Sequence, residues 1–121
     1  MKKITIYHNP RCSKSREALT ILQEKNCSLK IVEYLQSPLS ALQIKTLLKQ
    51  LQLKPIDIIR TKEKCFVELG LCKTSTDAEL IKAMVENPIL MERPIISDGE
   101  KAVIGRPPEN VLKLWNLNNK S

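Results

Sequence analysis

The stretch Tyr7-His8-Asn9-Pro10-Arg11-Cys12-Ser13-Lys14-Ser15-Arg16-Glu17 places one thiol among several cations. Arg11, Lys14 and Arg16 flank Cys12, and His8 lies just upstream. Nearby positive charge favours the thiolate, which is the form that attacks electrophiles. An apolar run, Ile4-Thr5-Ile6-Tyr7, precedes the stretch, and the helical pattern Ala18, Leu19, Ile21, Leu22 follows it. Cys12 therefore falls at or just before the first turn of a helix. Backbone N–H groups there have no internal partner and carry partial positive charge that favours an anion. The same field that draws a thiol below its free value of ~8.5 would hold an oxyanion beside the sulfur. The chemistry within reach is nucleophilic attack by a thiolate on an anionic substrate.

Positioning such a thiol needs a strand, a tight loop and a helix in succession. Lys3 to Tyr7 alternates and is β-branched, which predicts a strand; Ser13 to about Lys25 predicts a helix; Leu29 to Leu35 predicts a second strand. A strand–helix–strand unit of this length implies that the two strands are parallel. Ser40 is positioned to cap a helix over Ala41 to Leu51, whose apolar residues keep helical spacing. A short helical turn follows Pro55, ending near Arg60. A further helix covers about Glu63 to Leu69, closed by Gly70, and Ser75 or Thr76 caps another over Asp77 to Glu86. Residues from about 38 to 90 thus form a helical block between two β-rich ends. Met91 to Ile96 leads into a third strand, Ser97-Asp98-Gly99-Glu100 makes a hairpin turn, and Lys101 to Ile104 is a fourth strand. The last helix is expected over about Glu109 to Leu117, with Leu112 and Trp115 in the core. The expected fold is α/β: a mixed four-stranded sheet with an inserted helical block, in a single domain over residues 1–121.

The composition agrees with one domain able to bury a real core: 121 residues, 42% hydrophobic and 27% charged. The balance of 20 basic to 13 acidic residues, +7, suits anionic partners without choosing among them. Aromatics make up 3%, too few for stacking on single-stranded nucleic acid, and no nucleic-acid partner is expected. No apolar run approaches the ~18 residues of a membrane span, and the polar His8-Asn9-Pro10-Arg11 run interrupts any signal-like start. Cys12, Cys27, Cys65 and Cys72 show no zinc-like pairing, so no metal is expected, and they suit a reducing cytoplasm. Cys27, Cys65 and Cys72 read as structural or incidental.

Several motifs occur together in order: His8-Asn9-Pro10-x-Cys12-x-x-Ser15-Arg16, Glu68-Leu69-Gly70-Leu71, Asn87-Pro88-Ile89-Leu90, Arg93-Pro94-Ile95 and Gly105-Arg106-Pro107. In this combination the chain resembles the glutaredoxin-coupled arsenate reductases, which have a thioredoxin-like fold, over about residues 3 to 115. The resemblance implies that Cys12 attacks arsenic to form a thiol–arsenate adduct, with Arg60, Arg93 and Arg106 holding the oxyanion. It further implies that His8 favours the thiolate, that Ser15 donates a hydrogen bond to it, and that Pro94 is the cis-proline facing the nucleophile. Arg16 belongs to the same thiolate-stabilising group. Glutathione is then the co-substrate and glutaredoxin the protein partner, with no bound cofactor. Guanidinium groups suit this role because they grip a tetrahedral oxyanion bidentately at fixed charge.

Two other functions compete. One is a glutathione-linked thiol oxidoreductase of a different substrate, since a helix-end anion site does not separate arsenate from phosphate by geometry. The other is a redox-responsive transcription regulator of the same fold. A C-x-x-C switch is chemically impossible here because position 15 is Ser, and a simple C-x5-R phosphatase is excluded because position 18 is Ala.

Overall fold

A computed structural model describes residues 2–116. The chain runs β1 (Lys2–His8), α1 (Ser13–Gln23), β2 (Cys27–Glu33), α2 (Ala41–Leu51), α3 (Pro55–Ile58), α4 (Lys64–Glu68), α5 (Asp77–Glu86), β3 (Ile95–Ser97), β4 (Ala102–Ile104) and α6 (Lys113–Asn116). Single 3₁₀ segments cover Pro88–Leu90 and Pro108–Leu112. The strands form one mixed sheet in the order β2-β1-β3-β4. β1 and β2 are parallel, while β3 runs antiparallel to both β1 and β4.

Period-two alternation along β1 sends its side chains to two different cores. Ile4 and Ile6 pack with Ile96 against Ala18 and Leu22 of α1, and against Val111 and Leu114. Tyr7 and Ile95 point the other way, into the larger cluster that holds Ile44, Leu47, Ile58, Leu80, Met84 and Leu90 of the helical block. Each fully buried Ile or Leu in these layers is worth about 1.5–3 kcal/mol relative to exposure. The helical block is therefore a second layer against the sheet. Its helices start where local caps allow: Ser40 with Gln43 at α2, and Thr76 with Glu79 at α5, each a reciprocal capping box. α4 ends at Gly70, whose φ is 74°, with Gly70 N–H donating to Val67 O and Leu71 N–H to Phe66 O. This is a Schellman closure, and it needs a residue free to take left-handed backbone.

Three boundaries differ from expectation. β2 begins at Cys27 and stops at Glu33, because its register is set by pairing with β1, from Lys2↔Cys27 to His8↔Glu33. Tyr34, expected within the strand, instead starts a turn in which Gln36 and Ser37 N–H both donate to Glu33 O. The terminal helix is 3₁₀ over its first part. Asn110 N–H bonds Pro107 O, and the Asn110 amide donates to Ile104 O and Arg106 O, holding that tighter winding. Its expected last residue, Leu117, lies outside the described residues. The 3₁₀ turn at Pro88–Leu90 was not expected at all. Among the described residues no helix is long and apolar enough to cross a membrane.

Candidate active site

Parallel strands β1 and β2 end level with each other, since His8 and Glu33 are partners in the register. The loop Asn9 to Cys12 leaves the sheet at this edge. Asn9 Oδ1 accepts from Arg11 N–H at 3.0 Å, and Cys12 N–H donates to Asn9 O at 3.0 Å, which closes the turn. Cys12 is the N-cap of α1, with φ −94° and ψ 123°, and its sulfur makes no cap bond. The half-buried thiol is thus left beside the first-turn N–H groups.

His8 and Ser15 are buried beneath this loop and bond to each other, with His8 Nδ1 2.6 Å from Ser15 Oγ. Ser15 Oγ also accepts from Asn9 N–H at 3.1 Å. Either partner can donate in the His8–Ser15 bond, since the hydroxyl has one proton and two lone pairs and the imidazole tautomer sets the direction. Ser15 therefore serves the loop backbone and His8. The resemblance implies a donor role for Ser15 toward Cys12, and the hydroxyl keeps a proton for that role when His8 Nδ1–H is the donor in their bond. His8 presents its Nδ1 edge to Ser15. Arg16 Nη1 donates to Pro10 O at 2.9 Å, which makes Arg16 an exposed brace of the same loop.

Burial lowers the His8 pKa, helped by Arg16 and opposed by Glu33. The unfolded chain then takes up this proton at higher pH than the folded chain does. Stability from neutral His8 is complete above the unfolded value of about 6.5 and is lost as pH falls through the folded value. His8 is the chain's single histidine. The urea midpoint should therefore drop between pH 7.5 and pH 5, and His8→Asn should flatten that dependence; an equally steep profile in the variant would assign the effect elsewhere.

Arginines arrive from three segments. Arg106 Nη1 lies 4.0 Å from Cys12 Sγ, 3.4 Å from Arg93 O and 3.9 Å from Glu92 Oε1. Both the Arg93–Pro94 and the Arg106–Pro107 bonds are cis. Pro94 packs tightly on Gly105, where an added Cβ would sit 2.8 Å from Pro94 Cγ, and Gly105 N–H donates to Pro94 O at 2.8 Å. This contact locks the Arg93 and Arg106 loops together. Arg60 is joined to the same region by a short antiparallel bridge between Ile59 and Met91, with Arg60 N–H donating to Leu90 O and Glu92 N–H to Ile58 O, each at 2.7 Å. The guanidinium of Arg60 pairs with Glu63 at 2.8 Å. Arg60 and Glu92 line one wall of a depression of about 310 Å³.

Two features went unread in the sequence. Arg93 Nε and Nη1 are buried without any hydrogen-bond partner among the described residues, and so is the Tyr34 hydroxyl. In the sequence Tyr34 reads only as a strand residue. Burial pushes its phenol well above the ordinary range; Arg60 pulls the other way, while Cys12, Glu92 and Glu63 add to the rise. Glu63 could have been found from its i,i+3 spacing to Arg60, and Tyr34 from its place at the carboxyl end of a parallel strand.

The other cysteines lie apart from this arrangement. Cys27 Sγ donates to Leu22 O at 3.6 Å, and burial raises its pKa. Cys65 packs against the helical block. Cys72 is exposed, and hydrogen bonds from Thr74 and Ser75 lower its pKa.

Comparison with known proteins agrees with this layout. The model of the ArsC family matches residues 7–114. The uncharacterized Escherichia coli protein YfgD is 49% identical over 115 residues, covering 93% of this chain and 97% of that protein. An arsenate reductase of Haemophilus influenzae is 42% identical over 113 residues, covering 92% and 97%. The solved arsenate reductase from Vibrio cholerae superposes with a TM-score of 0.88 at 40% identity, covering 93% of this chain and 97% of that one. With the thiol at a helix N-cap, the paired proline–glycine loops and a match along nearly its whole length, the chain belongs to the ArsC family and has its thioredoxin-like fold.

Proposed function

We propose that the protein reduces arsenate to arsenite through an adduct on Cys12, drawing electrons from glutathione and glutaredoxin. The observation that carries this reading is the pair of buried, unpartnered Arg93 donors beside a loop whose Arg106 reaches the Cys12 sulfur. An unpaired buried guanidinium is costly, and a bound oxyanion supplies its missing acceptors. The names carried by relatives at about 40% identity point to the same substrate.

In this mechanism the Cys12 thiolate attacks arsenic(V) and displaces one oxygen as hydroxide, which leaves as water after protonation. Arg93 and Arg106 hold the remaining oxygens, and Arg60 adds charge from across Glu92. Glutathione then supplies the electron pair. Arsenic falls from +5 to +3, and the thiols end as a disulfide that a second glutathione, with glutaredoxin, returns to Cys12 thiol. In balance, arsenate and two glutathione molecules yield arsenite, glutathione disulfide and water. The four unbridged thiols suit a reducing cytoplasm, where this donor is available.

The electron source is the direct test. Purified protein should form arsenite with glutathione plus glutaredoxin and show little activity with thioredoxin and its reductase. Full rate with thioredoxin alone, or a disulfide between Cys12 and Cys27, Cys65 or Cys72 during turnover, would reassign the electron path.

A further inference from the structure

We propose that the Tyr34 hydroxyl is a substrate-binding donor, giving a hydrogen bond to an oxygen of the oxyanion that Cys12 attacks. This deepens the arsenate reading and rests on it.

Tyr34 is only 1% exposed, yet its hydroxyl has no partner among the described residues. Buried hydroxyls in native proteins are nearly always bonded, so an orphan needs a reason. Position supplies one. Glu33 pairs with His8 at the end of β1, so Tyr34 and the Cys12 loop leave the same edge of the sheet. Ligands of α/β proteins collect at the carboxyl ends of parallel strands. The carboxylates whose charge acts on the phenol are engaged elsewhere: Glu63 holds Arg60 at 2.8 Å, and Glu92 faces Arg106 at 3.9 Å. Tyr34 O–H, Arg93 Nε–H and Arg93 Nη1–H are therefore three buried donors with nothing to accept from them among the described residues. A tetrahedral oxyanion carries enough lone pairs for all three. The raised pKa keeps the phenol protonated at neutral pH, so it acts as a donor and does not repel the anion.

The experiment compares full-length wild type with Tyr34→Phe, using arsenate as the probe in thermal unfolding and in steady-state kinetics. Removing an unpaired buried hydroxyl should leave the ligand-free melting temperature equal or higher. The upward shift caused by arsenate should shrink, and kcat/KM for arsenate should fall about 10- to 100-fold, as for a lost hydrogen bond to a charged group. KM for glutathione should not move. An undiminished arsenate shift with kcat/KM within twofold of wild type would overturn the proposal while leaving the arsenate reading intact. A lower ligand-free melting temperature would also overturn it, since the hydroxyl would then be bonded within the protein. If wild type itself shows neither an arsenate shift nor turnover, the oxyanion reading fails and takes this proposal with it.

Discussion

Replacing Cys12 with Ser should abolish arsenate reduction. The reason is local and electronic. Sulfur at this N-cap lies beside unpaired helix N–H groups and 4.0 Å from the Arg106 guanidinium. Sulfur is intrinsically a far stronger nucleophile than a serine hydroxyl, which attacks only when a base activates it. The oxygen of Ser also cannot form the disulfide that ends the cycle. Fold should survive, because Cys12 makes no cap bond and contributes to neither core cluster. The measurement is arsenite formation at saturating glutathione and glutaredoxin, with Cys65→Ser as the internal control. Cys65→Ser should remain within a few-fold of wild type. Measurable turnover by Cys12→Ser, or an equal loss in Cys65→Ser, would move the chemistry to another residue. Iodoacetamide labelling across pH, with and without arsenate, reads the same sulfur independently: arsenate should protect it.

Removing one anion-holding guanidinium should be nearly as damaging. Arg93→Ala and Arg106→Ala are each expected to cost about 2–4 kcal/mol of transition-state stabilisation, on the order of 30- to 1000-fold in kcat/KM, in line with other preorganised anion-hole donors. The two differ in their free state. Arg93 carries two buried unpaired donors, so its charge is poised with little rearrangement. Arg106 is more exposed and spends part of its charge on Glu92 at 3.9 Å, an interaction that an entering anion must weaken. Arg93 should therefore show the larger loss, and lysine should rescue neither fully because it lacks the planar fork. Wild-type kinetics in either alanine variant, with its unfolding midpoint unchanged, would remove the oxyanion clamp from the mechanism.

Much of the architecture could be read along the chain because the physics involved is short-ranged. Alternation in Lys3 to Tyr7, the capping pairs Ser40/Gln43 and Thr76/Glu79, and Gly70 after α4 each act within a few residues. The position of Cys12 at a strand–helix junction is of the same kind. Where one element depends on another, reading was less accurate. β2 starts two residues early because β1 sets its register, and the terminal helix tightens to 3₁₀ because the Asn110 amide bonds Ile104 and Arg106. The site itself is mostly of this second kind. Arg106 reaches a sulfur 94 positions away because β3 and β4 pair outward from β1 and return their loops to its end. Ser15 turns to His8, and Tyr34 and Arg93 keep donors with no acceptor among the described residues. Residue type announces what a side chain can do within its own few neighbours. Who its partners are, and whether it has any, depends on burial and on contacts between distant segments, and these exist only once the sheet is assembled.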